Sequence, residues 1–171
     1  MPSHQAEQDY PSEYHDQVSK AMTAALNLLS YRMRTTFEIR SRIEDKFGAD
    51  IIDYVISKLI EQRYLDDTKF AQEWCDNRSK HKPRAKGLLK QELYKLGISD
   101  ADITVALDAI NDQTLAYDAG IKLAQRLVDK ETPPDIFNKK VHSLLHRRGF
   151  NTSVIRDTVK QIKTDIGGSE S

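Results

Sequence analysis

The feature that most constrains this chain is an apolar pattern that returns about every fifty residues, a period typical of helical repeat arrays. Ile39, Leu89 and Val141 correspond to one another, as do Ile43, Leu93 and Leu145, and Ile51, Ile103 and Ile155. Within each copy the spacing is helical. Val18, Ala21, Met22, Ala25, Leu28 and Leu29 fall on one face of a first helix. Thr35 followed by Glu38 is a capping box, and Ile39, Ile43 and Phe47 mark a second helix that Gly48 would end. A third helix reads from Asp50 through Ile52, Val55, Ile56, Leu59 and Ile60. The plan recurs with Phe70, Ala71 and Trp74, then from Pro83 through Leu89, Leu93 and Leu96 to Gly97, then with Ile103, Leu107 and Ile110. A third round carries Tyr117, Ile121, Ala124 and Val128, then Phe137, Val141 and Leu145 up to Gly149, then Ile155, Val159 and Ile162. Pro83 suits a first helical position and Gly97 a helix end, while Ser99 and Asn151 stand at the starts of third helices.

The expectation is an all-α chain of three tandem three-helix repeats, spanning residues 18–66, 67–112 and 113–166. A flexible acidic tail, 1–17, would precede them, and 167–171 would be a flexible C-terminus. A unit this small buries little apolar surface alone, so neighbouring units should stack into an elongated, curved monomer. Thr132-Pro133-Pro134 reads as a stiff connection, with a proline in the first turn of the next helix. Seven glycines and five prolines among 171 residues, with 39% hydrophobic and 30% charged, suit helices better than a β-sandwich or a disordered chain.

Net charge is zero, from 26 basic and 26 acidic residues, so overall charge argues for no nucleic-acid role. The distribution is uneven. Arg78, Lys80, Lys82, Arg84, Lys86 and Lys90 fall in a stretch with no acidic residue, whereas Glu7, Asp9, Glu13 and Asp16 load the N-terminal end. No apolar run approaches membrane-spanning length, and the first residues lack the plan of a secretory signal, so a cytoplasmic protein is expected. The lone cysteine, Cys75, agrees with a reducing compartment.

Certain stretches carry a resemblance. Ala25 to Thr35, running on to Glu38-Ile39, is similar to the opening of the RecX family. Tyr64-Leu65-Asp66-Asp67 followed by Phe70-Ala71, Trp74 and Arg78 resembles its most specific block. Glu92-Leu93 with Gly97-Ile98, and Leu145 with Arg147-Arg148-Gly149-Phe150, resemble later signatures, so the match runs from about Val18 to Asp165. Two places depart from it: the first repeat reads Lys46-Phe47-Gly48 where later repeats put glycine before the apolar residue, and the acidic tail has no counterpart. The resemblance implies a non-enzymatic regulator in recombination and DNA repair. It would bind RecA and its nucleoprotein filament, lie in the filament groove, and restrain filament growth, strand exchange and ATP hydrolysis.

The candidate partner and DNA-backbone contacts are Arg78, Lys80, Lys82, Arg84, Lys86 and Lys90, with Arg32, Arg34, Arg147 and Arg148 as weaker copies. They could meet phosphates, without reading sequence, or acidic side chains of RecA; the plainer reading is a solvated helix face. The alternative function is a free-standing, sequence-independent DNA-binding helical protein. No cofactor and no metal are expected. His142 and His146, four apart, make half of a zinc site with nothing to complete it. Asp66-Asp67 read as an acidic helix cap, Trp74 as core, and Cys75 as a packed thiol. No Walker loop, dinucleotide fingerprint, zinc-protease helix or serine elbow occurs, which argues against an ATPase or any other enzyme.

Overall fold

The structure, a computed structural model, describes residues 11–167. Among the described residues it has nine helices and no strand. They are α1 (Ser12–Tyr31), α2 (Thr36–Ile43), α3 (Ala49–Glu61), α4 (Asp67–His81), α5 (Lys86–Lys95), α6 (Asp100–Asp108), α7 (Asp112–Val128), α8 (Pro134–Arg147) and α9 (Thr152–Gly167). The expected order of three three-helix repeats is therefore present. The acidic residues Glu7 and Asp9, and residues 168–171, lie outside the described part.

Backbone contacts divide the chain into two compact units. The first runs through Phe70 and takes in Leu96–Ile98; the second takes Ala71–Lys95 and resumes at Ser99. In the first unit α1, α2 and α3 pack on one another around Ala21, Ala25, Ile39, Ile43, Val55 and Leu59, all at most 1% exposed. In the second, α7, α8 and α9 enclose Ala116, Ala124, Val141, Leu145, Ile155 and Ile162. A Cβ at Gly120 would stand 2.9 Å from Ile162 Cδ1, so glycine there permits the close approach of α7 and α9. α5 packs on α6, and Leu89, Leu93 and Ile103 of this pair are fully buried.

Local chemistry explains the helix starts. Thr35 Oγ1 accepts the Glu38 amide at 3.1 Å while the Glu38 carboxylate accepts the Thr35 amide at 3.1 Å, which completes the expected capping box. Ser99 caps α6 through the Asp102 amide, and Asn151 Oδ1 caps α9 through the Val154 amide at 2.9 Å. Asn111 does the same for α7 through Thr114 at 3.1 Å. Pro134 opens α8 at its first position, as its fixed φ favours.

Three boundaries differ from the sequence reading. α1 begins at Ser12 rather than near Val18, because the Pro11 carbonyl accepts the Tyr14 amide at 2.9 Å and Tyr14 packs against the core; residues 12–17 are thus helix, not flexible tail. Gly48 does not end α2, which stops at Ile43; the turn 44–47 follows, and the Gly48 carbonyl accepts the Ile52 amide to start α3. Pro83 lies in the connection before α5 rather than in its first turn, since the Ala85 carbonyl is the one that accepts the Leu88 and Leu89 amides.

A clasp recurs in both units. In the first, the Thr35 hydroxyl donates to the Leu96 carbonyl at 2.7 Å, and the Thr36 amide donates to Asp67 Oδ1 at 2.8 Å. In the second, the Ala85 amide donates to the Arg148 carbonyl at 2.9 Å, and the Lys86 amide to Asp112 Oδ1 at 2.7 Å. Beside each clasp sits a glycine in the left-handed region, Gly97 at φ 76° and Gly149 at φ 85°. Any side chain at Gly97 would also collide with Phe37. The starts of α2 and α5 are thus each held by residues far along the chain. The Asp66-Asp67 pair divides its work accordingly: Asp66 Oδ1 caps α4 through the Lys69 amide at 2.8 Å, and Asp67 reaches across to α2.

Candidate functional site

The structure sorts the candidate cations by whether a carboxylate is within reach. Arg78 Nε donates to Glu92 Oε2 at 3.0 Å, Arg84 pairs with Glu92 Oε1, and Trp74 Nε1 donates to Glu92 Oε2 at 2.9 Å. The Arg78 guanidinium lies 4.4 Å above the Trp74 ring. Trp74, expected as core, is therefore half-buried and part of a polar clasp between α4 and α5. Burial alone would raise the Glu92 carboxyl, but the hydrogen bonds from Trp74 and Arg78 and the charges of Arg78 and Arg84 outweigh it and hold it below its ordinary value. Glu38 is placed alike: against its burial, Arg32 at 2.5 Å, the Thr35 amide and Arg34 depress its pKa. Arg34 Nε also donates to the Leu28 carbonyl at 3.0 Å, and its side chain is only 12% exposed. Arg34, Arg78 and Arg84 are engaged within the fold, whereas Arg32, also paired with Glu38, keeps 49% of its side chain exposed.

The lysines behave differently. Lys80, Lys82 and Lys90 are exposed, with the Lys90 ammonium 5.4 Å from the Tyr94 ring, while Lys86 is half-buried. Lys80 meets Arg147 and Arg148 in one groove of the second unit, formed by the end of α4, one face of α7 and the end of α8. His81, Lys122 and Arg126 line it as well, above a floor that includes Pro83, Ile121 and Leu144. Asp118 is its single carboxylate. Among the described residues, none of these six basic side chains makes an ion pair. Arg148 donates to the Pro83 carbonyl at 3.3 Å. Burial first, then the like charges of Arg84 and Arg147, pull its pKa down from the usual arginine value.

Sequence reasoning missed His81, Lys122 and Arg126. The available signal was the four-residue spacing of Lys122 and Arg126, which puts them on one helical face.

His142 and His146 are exposed on α8, with parallel rings 6.4 Å apart, beside Lys139 and Arg156. Among the described residues no group of three or more His, Cys, Asp or Glu side chains gathers. Cys75 is buried, and burial, then Asp76 and Glu92, push its thiol up to about 11. It is protonated at neutral pH and suited to packing rather than to nucleophilic work. Among the described residues no helix is long and apolar enough to cross a membrane.

The fold defines a class, a tandem array of three-helix modules. Residues 21–59 match the RecX first three-helix domain and residues 66–107 the RecX second three-helix domain. Regulatory protein RecX of Bacillus velezensis is 32% identical over 151 residues, covering 87% of this chain and 57% of that protein. Regulatory protein RecX of Chlorobium limicola is 28% identical over 145 residues, covering 84% of this chain and 90% of that one. The crystal structure of RecX from Lactobacillus salivarius superposes with a TM-score of 0.74 at 26% identity, over 87% of this chain and 98% of that one. This chain belongs to the RecX family. It spans 58% of the length of the Leuconostoc mesenteroides and Bacillus subtilis relatives.

Proposed function

We propose that this chain is a non-catalytic regulator that binds RecA and its nucleoprotein filament and restrains filament growth, ATP hydrolysis and strand exchange. The observation that carries the reading is family membership over successive three-helix modules, matched by two RecX domains. A binder of this kind acts by population: holding neighbouring RecA subunits in a less active arrangement shifts the equilibrium in proportion to its preference for that state. DNA contacts, where made, are to phosphates and so independent of sequence. Of the candidate contacts, the exposed Lys80, Lys82, Lys90 and Arg147 suit this role best, and the clasped Arg34, Arg78 and Arg84 suit it least.

The test is RecA's DNA-dependent ATPase with and without the chain. A concentration-dependent fall in turnover supports the reading, and unaltered turnover at saturating chain contradicts it. The unpaired groove gives a second reading some weight, that of a free-standing DNA-binding protein. That protein would bind DNA in the absence of RecA and leave the ATPase of a preformed filament untouched.

A further inference from the structure

We propose that the groove formed by the end of α4, α7 and the end of α8 holds phosphates of a nucleic-acid backbone, with Lys122 and Arg126 as contacts alongside Lys80, Arg147 and Arg148. The site rests on the reading of the chain as a protein that works on a nucleoprotein filament, but it makes its own prediction for DNA alone.

In several places elsewhere a basic side chain has a carboxylate partner, as Arg40 has Asp53, Lys58 has Glu61, and the clasp arginines have Glu38 and Glu92. In this groove cations from three helices face a common space lined by one carboxylate, Asp118. A plainer account covers part of it, because Lys80, His81, Arg126 and Arg147 lie in the last turns of α4, α7 and α8, where the helix dipole favours positive charge. It does not cover Lys122, which lies within α7 and well before its last turn. Nor does it explain why Arg148, already beside Arg84 and Arg147, is held at the groove by a carbonyl and not by an acid.

A ligand with a single negative charge would answer few of these cations. A phosphodiester chain presents charges in series, and each phosphate met by a lysine or arginine releases condensed counterions. Arg126 and Lys122 stand one turn apart on α7, across the groove floor of Ile121 and Leu144. The geometry therefore fits a strand running over the groove better than a point anion, and nothing in it reads base edges.

The experiment is fluorescence anisotropy of a labelled, mixed-sequence single-stranded DNA oligonucleotide against the full chain over a salt series. The Lys122→Gln/Arg126→Gln variant should bind severalfold more weakly, with a slope of log K on log salt shallower by about 0.7 for each contact removed. The Lys20→Gln/Lys163→Gln control, with the same charge change, should follow the wild type. Lys80→Gln/Arg147→Gln should repeat the groove result should the first variant melt early. Equal slopes in groove and control variants overturn the site. So does a wild-type chain that binds polyglutamate but no oligonucleotide, which would reassign the groove to an acidic protein partner. RecA ATPase measured in parallel separates the two readings: restraint of RecA without oligonucleotide binding removes the groove site and leaves the regulator standing.

Discussion

Two regions of the second unit use the same residue types for opposite ends. In the clasp between α4 and α5, Arg78, Arg84 and Trp74 converge on Glu92, whose side chain is 14% exposed. In the groove at the end of α4, Lys80, Lys122, Arg126 and Arg147 converge on space. Arg78 and Lys80 are two residues apart in one helix, yet one closes the fold and the other is left to solvent. The difference teaches that local charge density says little about availability. What decides is whether the fold brings a carboxylate within hydrogen-bond reach.

Leu93, fully buried on α5 next to Glu92, sets the scale: Leu93→Ala should destabilise the chain by about 2–5 kcal/mol in chemical denaturation. A variant that unfolds like the wild type would mean that the α5 register is wrong. Glu92→Ala should come next, at about 1.5–3 kcal/mol, because it strands two guanidiniums and the Trp74 N–H in a half-buried site. A negligible loss would demote the clasp to surface decoration.

A smaller effect concerns acid. The pKa of Glu92 is lower in the folded chain than in the unfolded one, so its contribution is complete above the ordinary glutamate pKa of about 4.3 and is lost as pH falls through the depressed folded value. Glu38 has the same sign. Stability measured down this pH range should fall less steeply in Glu92→Gln than in the wild type, and parallel curves would contradict the assignment. Smallest of all, Lys122→Gln/Arg126→Gln should change stability by no more than about 0.5 kcal/mol, as exposed substitutions outside ion pairs do, with only the Arg126 hydrogen bond to the Lys122 carbonyl to lose. A large loss there would show that the groove cations also hold the fold.

Much of this architecture was legible because it is local. The capping box at Thr35 and Glu38, the Ser99 and Asn151 caps and the Pro134 start all depend on residues within one turn, where sequence spacing is spatial spacing. The clasps were not legible, because their partners are far apart in the chain. The Thr35 hydroxyl meets a carbonyl 61 residues away and the Thr36 amide a carboxylate 31 residues away, and periodicity carries no such information. The same holds for the candidate site. The stretch from Arg78 to Lys90 contains no acid, but Glu92 stands just beyond it and takes two of its arginines. Lys122 and Arg126 look like ordinary solvated positions until α7 is placed against the ends of α4 and α8.

The central claim, that paired cations hold the fold while unpaired ones meet the partner, is tested most directly by RecA's DNA-dependent ATPase. The assay compares the wild-type chain, Arg78→Gln and Lys122→Gln/Arg126→Gln, each at a temperature where circular dichroism shows it folded. The account predicts that Arg78→Gln restrains RecA as the wild type does despite a lower melting temperature, and that the groove variant melts normally but loses most of its restraint. The opposite pattern, with restraint lost in Arg78→Gln and kept in the groove variant, would contradict it.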